Sequence, residues 1–195
     1  MTTADVTVTL VGDLLDENDE TVVLTIGAPT NAGVGATNVH TLTINDDDAT
    51  PTVDFTTAAQ SAGEASGTAM ATVSLSAASG LEVSVPLLLG GSAGSPADYT
   101  VAPDPVVIAA GSTSADITFT IVSDLLAESD ETAVVTLGAP TNASLGTATV
   151  HTLTITDDDT EPTVSFDSAM QTVSEGAGVV GCLLYTSPSP RDSSK

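Results

Sequence analysis

The chain has 195 residues, of which 26 are Asp or Glu and two are Lys or Arg, so its formal net charge at pH 7 is -24. Both basic residues, Arg191 and Lys195, lie at the end of the chain, and such an acidic surface repels nucleic acid and anionic membranes, which need cationic groups. The apolar fraction of 41% argues against a disordered acidic tract, and the abundance of Thr, Val, Ala, Ser, Asp and Gly favours β-strands and turns.

The first notable element in chain order is an acidic turn, DLLDENDE at residues 13–20, which returns as DLLAESDE at residues 124–131. The recurrence extends well beyond the turn, because residues 4–55 align with residues 115–166 without a gap. Identical blocks include GAPTNA, VHTLTI and DDD. A repeat of about 110 residues is the size of a domain, whereas solenoid repeats are roughly 20–50 residues long. The sequence therefore predicts tandem domains.

We divide the chain into four parts on this basis. Residues 1–48 are the C-terminal part of one repeat (unit one), residues 51–159 a complete repeat (the central unit), and residues 162–181 the start of a third (unit three). The chain is thus expected to be a window cut from a longer array. Residues 182–195 depart from the repeat, and CLLYTSPSPRD resembles one reading frame of a sequencing-library adapter, so we interpret this tail as non-native.

The central unit contains a series of short alternating strands, separated by Gly, Pro, Asn or acidic residues. The predicted strands are 52–56, 68–76, 81–89, 105–109, 115–122, 132–138 and 148–156. Pro86 interrupts the third of these, which predicts an edge position or a bulge. No 3.6-residue periodicity indicates a helix. About seven such strands in about 110 residues predict an all-β fold, an immunoglobulin-like antiparallel Greek-key sandwich.

The acidic residues of the central unit gather at the ends of the predicted strands. They are Glu64 after the first strand, Asp98 in PADYT, the turn at 124–131, and Asp157, Asp158 and Asp159 after the last strand. In a Greek-key sandwich these ends can meet at one pole, where two carboxylates about 4 Å apart repel by roughly 4 kcal/mol at an effective dielectric constant near 20. Because the unit contains no Lys or Arg, a bound divalent cation is the expected counter-charge.

Calcium suits such turns, since it takes six to eight oxygen ligands in flexible geometry. Zinc prefers Cys and His, which are not clustered here, and magnesium keeps several waters and needs fewer protein oxygens. Two familiar calcium motifs are missing: DENDETVVLTIG lacks the sixth-position Gly and the final Glu of an EF-hand loop, and no β-roll nonapeptide repeats. The alternative is a solvated acidic surface that serves solubility or salt adaptation.

These residues together resemble the Calx-beta domain family, which occurs in sodium–calcium exchangers, in an integrin subunit and in large surface proteins of microbes. The resemblance covers residues 1–181 and rests on Glu64 in SAGEASG, the Asp98 and Tyr99 pair, the Gly111 turn, DLLAESDE and the closing ITDDD. It implies a sandwich of about seven strands, with the calcium ligands at the distal end of the domain.

Carried over residue by residue, the resemblance implies calcium ligands in two units. In the central unit they are Glu64, Asp98, Asp124, Leu126 (through its backbone carbonyl), Glu128, Glu131, Asp157, Asp158 and Asp159. In unit one they are Asp13, Glu17, Glu20, Asp46, Asp47 and Asp48, a set that lacks the early Glu and the DY aspartate. The family's best binders carry a further Asp where this chain has Ser123, so the ion number and affinity are not implied. Asp16, whose counterpart is Ala127, is expected to be dispensable to the site.

The two histidines, His40 and His151, are copies at one strand position. We expect a histidine with satisfied hydrogen bonds at the rim of the sandwich. Two equivalent histidines provide no nucleophile–base–orienter set, so the chain is not expected to be an enzyme. Cys182 is the only cysteine, which excludes a disulfide framework.

Two functions of different classes are compatible with these features. The first is a calcium-binding repeat of an extracellular or cell-surface, adhesin-like protein that is membrane-associated and serves cell adhesion or communication, with calcium stiffening the domain junctions. Its expected partners are calcium ions, neighbouring repeats and cell-surface protein or glycan ligands, without nucleic acid or membrane insertion. The second is a structural spacer or adhesion repeat without functional calcium. The localisation follows from the resemblance, since no signal peptide is visible.

Overall fold

The computed structural model describes residues 3–186. Strands dominate these residues, and their only helices are two 3₁₀ turns, η1 (Glu64–Ser66) and η2 (Glu175–Ala177). None of the helices within the described part of the chain is long and apolar enough to cross a bilayer.

Unit one contributes a single antiparallel hairpin, β1 (Glu20–Thr25) with β2 (Val39–Ile44). The preceding residues 4–10 form no strand, although they align with residues 115–121, which are strand in the central unit. A strand needs partners for its backbone N–H and C=O groups. The strands that pair with residues 115–121 have no counterpart in unit one, so its apolar side chains are left exposed, including Val6 at 78% and Leu10 at 54%.

The central unit is a two-layer sandwich. Its strands are β3 (Thr52–Phe55), β4 (Ala59–Gly63), β5 (Thr68–Leu75), β6 (Val83–Val85), β7 (Leu87–Gly91), β8 (Tyr99–Ala102), β9 (Val106–Ile108), β10 (Ser114–Ile121), β11 (Glu131–Leu137), β12 (Ser144–Leu145) and β13 (Val150–Thr156). One sheet has the order β12-β3-β5-β10-β8 and the other β4-β13-β11-β7, while β6 pairs with β9. The predicted all-β sandwich is confirmed.

The core lies between the two sheets and follows the alternation seen in the sequence. Along β10, Ile117 and Phe119 are fully buried, and along β11, Ala133 and Val135 are fully buried. Each buried Val, Leu, Ile or Phe side chain stabilises the fold by roughly 1.5–3 kcal/mol relative to an exposed one. Tyr99 belongs to this core and packs its ring 6.3 Å from that of Phe119, centroid to centroid.

Pro86 divides the predicted strand 81–89 into β6 and β7, which pair with different partners. Because proline has no N–H to donate, it cannot continue a ladder, and its carbonyl accepts the N–H of Gly138 at 2.8 Å. Strand β7 then lies at the edge of its sheet. The predicted edge position is confirmed.

Two pairings depart from the predicted antiparallel arrangement, because both are parallel. Strand β4 pairs with β13, and the two-residue strand β12 pairs with β3. The chain therefore passes from one sheet to the other between β3 and β4, so that Thr52–Phe55 lies in one layer and Ala59–Gly63 in the other. The sequence AQSAG has no large alternating side chains, so it carries no strand signal of its own.

His151 differs from its prediction, because it lies in the core and not at the rim. It is fully buried, between the rings of Phe55 and Phe119 at centroid distances of 5.4 and 5.9 Å. Its Nδ1 hydrogen bonds to the carbonyl of Thr57 at 2.7 Å, whereas its Nε2 has no partner. His40, its copy in unit one, is exposed because unit one has no second sheet to cover it.

Unit three contributes β14 (Val164–Phe166), which pairs with β15 (Leu184–Thr186) from the tail. All six residues of these two strands are exposed. Residues 187–195, the greater part of the predicted non-native tail, lie outside the described residues.

Candidate metal centre

Five segments of the central unit meet at one end of the sandwich, which we call the site pole. The register places the start of β8 beside the end of β10, as Tyr99 pairs with Ile121. It places the end of β13 beside both the end of β4 and the start of β11, since Thr156 pairs with Gly63 and Ile155 with Glu131. Carboxylates far apart in the sequence therefore share one surface.

Glu64 is the centre of this surface. It begins the 3₁₀ turn η1, directly after β4, and is only 8% exposed. Its Oε1 accepts the backbone N–H of Asp124 at 2.6 Å, which ties the β10–β11 loop to the turn. One carboxylate oxygen from each of Glu64, Asp124 and Asp159 lies within 4.8 Å of the other two. Three distant parts of the chain are thus joined in one acidic cluster.

Local hydrogen bonds fix the shape of the acidic loops. The Oδ1 of Asp124 accepts the N–H of Leu126 at 2.7 Å, and the Oδ1 of Asp130 accepts the N–H of Asp157 at 3.2 Å. The first is a turn that Asp favours because its short side chain reaches the backbone two residues on. The second holds the end of β13 against the β10–β11 loop. Asp130 was counted in the acidic turn but was not predicted as a site residue.

A second acidic group lies beside Glu64. A small hollow is lined by Glu64, Asp98, Asp124, Glu128, Glu131 and Asp157, together with four uncharged residues. Within it, the carboxyl groups of Glu131 and Asp98 lie beside each other and interact. Asp98 also accepts the N–H of Gly94 at 2.6 Å. The hollow offers carboxylate oxygens next to the three-residue cluster.

The like charges affect proton binding at the pole. Burial raises the pKa of Glu64 above its ordinary value of 4.5. The hydrogen bond from the N–H of Asp124 lowers this pKa, whereas the negative charges of Asp124, Asp159 and Asp157 raise it further. Burial, followed by the interaction with the neighbouring carboxyl group of Asp98, raises the pKa of Glu131. Burial also raises the pKa of Asp159, ahead of the charges of its neighbours. The ionised pole is therefore an unfavourable arrangement that a proton or a cation relieves.

The predicted ligands of the central unit do not all occupy equivalent places. Glu64, Asp98, Asp124, Glu128, Glu131, Asp157 and Asp159 belong to the cluster or line the hollow. Asp158 is exposed and does neither. Leu126 contributes an N–H to the Asp124 turn, and the predicted role of its carbonyl stays a prediction.

Unit one carries the corresponding half of the arrangement. The N–H of Leu15 bonds to Asp13 at 2.9 Å and that of Asp46 to Asp19 at 3.0 Å, matching the two loop bonds of the central unit. An open hollow is lined by Asp13, Glu17, Glu20, Asp46 and Asp48, among others, whereas Asp47 does not line it. The charge of Asp13 is the main cause that raises the pKa of Glu17. Unit one thus keeps the geometry of the acidic loops, although it has no residues equivalent to Glu64 and Asp98.

Comparison with known proteins identifies a matching family model and several similar solved structures. The family model of the Calx-beta domain matches residues 1–48 and 46–159. No curated protein matches the sequence significantly.

Three similar solved structures, which have 19–20% sequence identity to this chain, show the likeness of fold. The crystal structure described as CBD12 from CALX1.2 has 19% identity and a TM-score of 0.51, over 60% of this chain and 48% of that one. The apo form of the Calx CBD1 domain has 19% identity and a TM-score of 0.51, over 57% of this chain and 100% of that one. The calcium binding domain CBD12 of CALX1.1 has 20% identity and a TM-score of 0.51, over 55% of this chain and 44% of that one. The match thus spans under half of each CBD12 chain and the whole of CBD1.

Proposed function

The chain belongs to the Calx-beta domain family, and from this premise we propose that the site pole of the central unit binds calcium. Calx-beta domains serve binding and regulation and are not catalytic. The observation that carries the proposal is the cluster of Glu64, Asp124 and Asp159, with oxygens within 4.8 Å of one another. Two oxygens bound to one calcium ion at 2.3–2.6 Å lie at most about 5 Å apart. All three can therefore bind the same ion.

Charge and ligand chemistry support calcium as the occupant. The pole presents only oxygen ligands, and its carboxylates have no Lys or Arg among residues 3–186 to neutralise them. The Asp98 and Glu131 pair supplies further oxygens beside the cluster. This number of converging oxygens favours calcium over magnesium, which retains several of its waters.

The position of the pole suggests a mechanical role. Asp157, Asp158 and Asp159 follow β13 immediately and precede unit three, which begins at residue 162. An ion held by Asp159, Asp124 and Glu64 would join this connecting segment to the β10–β11 loop and to η1. We propose that calcium thereby stiffens the junction between repeats. A cell-surface location would keep the sites filled, because extracellular modules bind calcium with dissociation constants of about 0.1–1 mM.

Thermal melting of the chain in chelator and in about 10 mM calcium tests this proposal. At roughly 10–100 times the dissociation constant, one bound ion adds about 1.4–2.7 kcal/mol to stability, which corresponds to a Tm increase of roughly 5–20 °C for a domain of about 100 residues. A spacer whose acidic residues serve only solubility would show the same small Tm change with calcium as with magnesium at equal ionic strength.

A triple variant, Asp157→Ala, Asp158→Ala and Asp159→Ala, provides the matched comparison in that experiment. The calcium-binding function predicts that the triple variant loses most of the calcium-induced increase in Tm. The spacer function predicts that the triple variant and the wild type show the same small change in Tm when calcium is added.

A further inference from the structure

The acidic loop of unit one, residues 13–20, lies against the end of the central unit opposite the site pole. The backbone carbonyl of Asp16 accepts two hydrogen bonds there, from the N–H of Gly80 at 3.0 Å and from the hydroxyl of Ser79 at 3.1 Å. Asp16 and Ser79 also form a parallel β-bridge. The segment that receives the loop, residues 76–82 between β5 and β6, is called the docking loop below.

The side chain of Asp16 adds a third contact. Its Oδ1 accepts the hydroxyl of Thr50 at 3.1 Å, in the segment that connects the two units. Asp16 is only 9% exposed, and Ser79 is 1% exposed. Asp16 was expected to be dispensable to the calcium site because its counterpart is Ala127, and it is the one acidic residue of its loop that is buried.

The central unit shapes the docking loop by itself. The N–H of Gly111 donates to the carbonyl of Ser79 at 2.8 Å, and the N–H of Leu81 donates to the hydroxyl of Ser79 at 3.1 Å. Gly111 has a φ of 76°, which a residue with a side chain rarely adopts. The surface presented to unit one is therefore held by bonds within the central unit.

Gly80 permits the close approach of the two units. A Cβ atom at this position would lie 2.6 Å from both Cγ and Oε1 of Glu17, well inside van der Waals contact. Glu17 is one of the predicted calcium ligands of unit one. The docking loop of one repeat thus lies directly against the acidic loop of the repeat before it.

We propose that the docking loop is an interaction surface for the acidic loop of the preceding repeat, and that the Asp at the fourth position of DLLDENDE secures this contact through the connecting segment. The contact is formed by protein groups alone, so it does not rest on calcium binding. Successive junctions in such an array then differ in strength. A loop with Asp at this position, as in unit one, is fixed to the linker, whereas a loop with Ala, as in the central unit, lacks that bond.

Amide hydrogen exchange in the full 195-residue chain, measured in chelator, tests this inference. The N–H of Gly80 reports the contact between units, and the N–H of Gly111 reports the docking loop itself. We expect both to be protected in the wild type. Asp16→Ala is expected to reduce the protection of Gly80 by roughly tenfold to a hundredfold, on the order expected for one hydrogen bond to a charged group, and to leave Gly111 unchanged.

Two further variants complete the design. Thr50→Val should give the same loss at Gly80 as Asp16→Ala, and the double variant should lose no more than either one, because the two side chains form one bond. Asp5→Ala, which removes an exposed Asp outside the contact, is the charge-matched control and should change neither amide.

Three results would overturn the inference. One is an unprotected Gly80 amide in the wild type. Another is an Asp16→Ala variant with unchanged protection at Gly80. The third is equal loss at Gly80 and Gly111, because that pattern would indicate a general loosening of the central unit and not undocking of unit one.

Discussion

Glu64→Gln is expected to have opposite effects on stability with and without calcium. In chelator the variant should melt a few degrees higher than the wild type, because it removes a buried charge that faces Asp124 and Asp159 while Gln can still accept the N–H of Asp124. In about 10 mM calcium it should lose most of the ion's stabilisation, which is roughly 5–20 °C in Tm. Calorimetric melting of both proteins in both solutions measures the effect.

The reversal of sign separates a ligand from a structural residue. If Glu64 served only to anchor the β10–β11 loop, the variant would change stability in the same direction in both solutions. Glu82→Gln is the matched control, because Glu82 is exposed and lies outside the acidic pole. It makes the same change in net charge and should leave the response to calcium intact.

Stability should depend on pH in opposite ways in chelator and in calcium. The pKa values of Glu64, Glu131 and Asp159 are raised in the folded chain. A carboxyl with a raised folded pKa lowers stability when it is ionised. This loss of stability is absent at pH values below the ordinary pKa, which is 4.5 for Glu, and is complete at pH values above the raised pKa. In chelator, Tm should therefore rise as the pH falls from 7 towards 5.

In calcium the same protons compete with the ion, so the calcium-induced increase in Tm should shrink over that interval. The measurement is a series of melting curves at intermediate pH values and constant ionic strength. A calcium effect that was constant across the interval would contradict a carboxylate site. Glu82→Gln should retain the wild-type pH dependence, while Glu64→Gln should lose part of it.

Much of the fold could be predicted from the sequence because its signals are local and repeated. Alternation along β5, β10, β11 and β13 reflects a sheet with one buried face, and the burial of each strand follows it. The position of acidic residues directly after strands also predicts that they lie at the ends of a sandwich. Because the two copies align, each acidic turn is recognised as part of a repeated domain and not as a general acidic tract.

Other features depend on partners that a single pattern does not reveal. Strand β4 exists because β13 offers it an edge, and not because AQSAG favours strands. His151 is buried by the sheet that lies opposite it, which its copy His40 lacks. The contacts of Asp16 with Thr50 and Ser79 involve the linker and the next repeat, so comparison of Asp16 with Ala127 does not reveal them. The proximity of Glu64 to Asp124 likewise depends on the change of sheet between β3 and β4.

The central claim is that the site pole of the central unit binds calcium through carboxylates from three parts of the chain. Titration calorimetry of the chain with calcium, and separately with magnesium at equal ionic strength, tests this claim most directly. We expect a saturable calcium isotherm with a dissociation constant of about 0.1–1 mM, much weaker binding of magnesium, and loss of the calcium isotherm's strongest component in Glu64→Gln. Equal, non-saturating heats for both ions, unchanged by Glu64→Gln, would contradict the account.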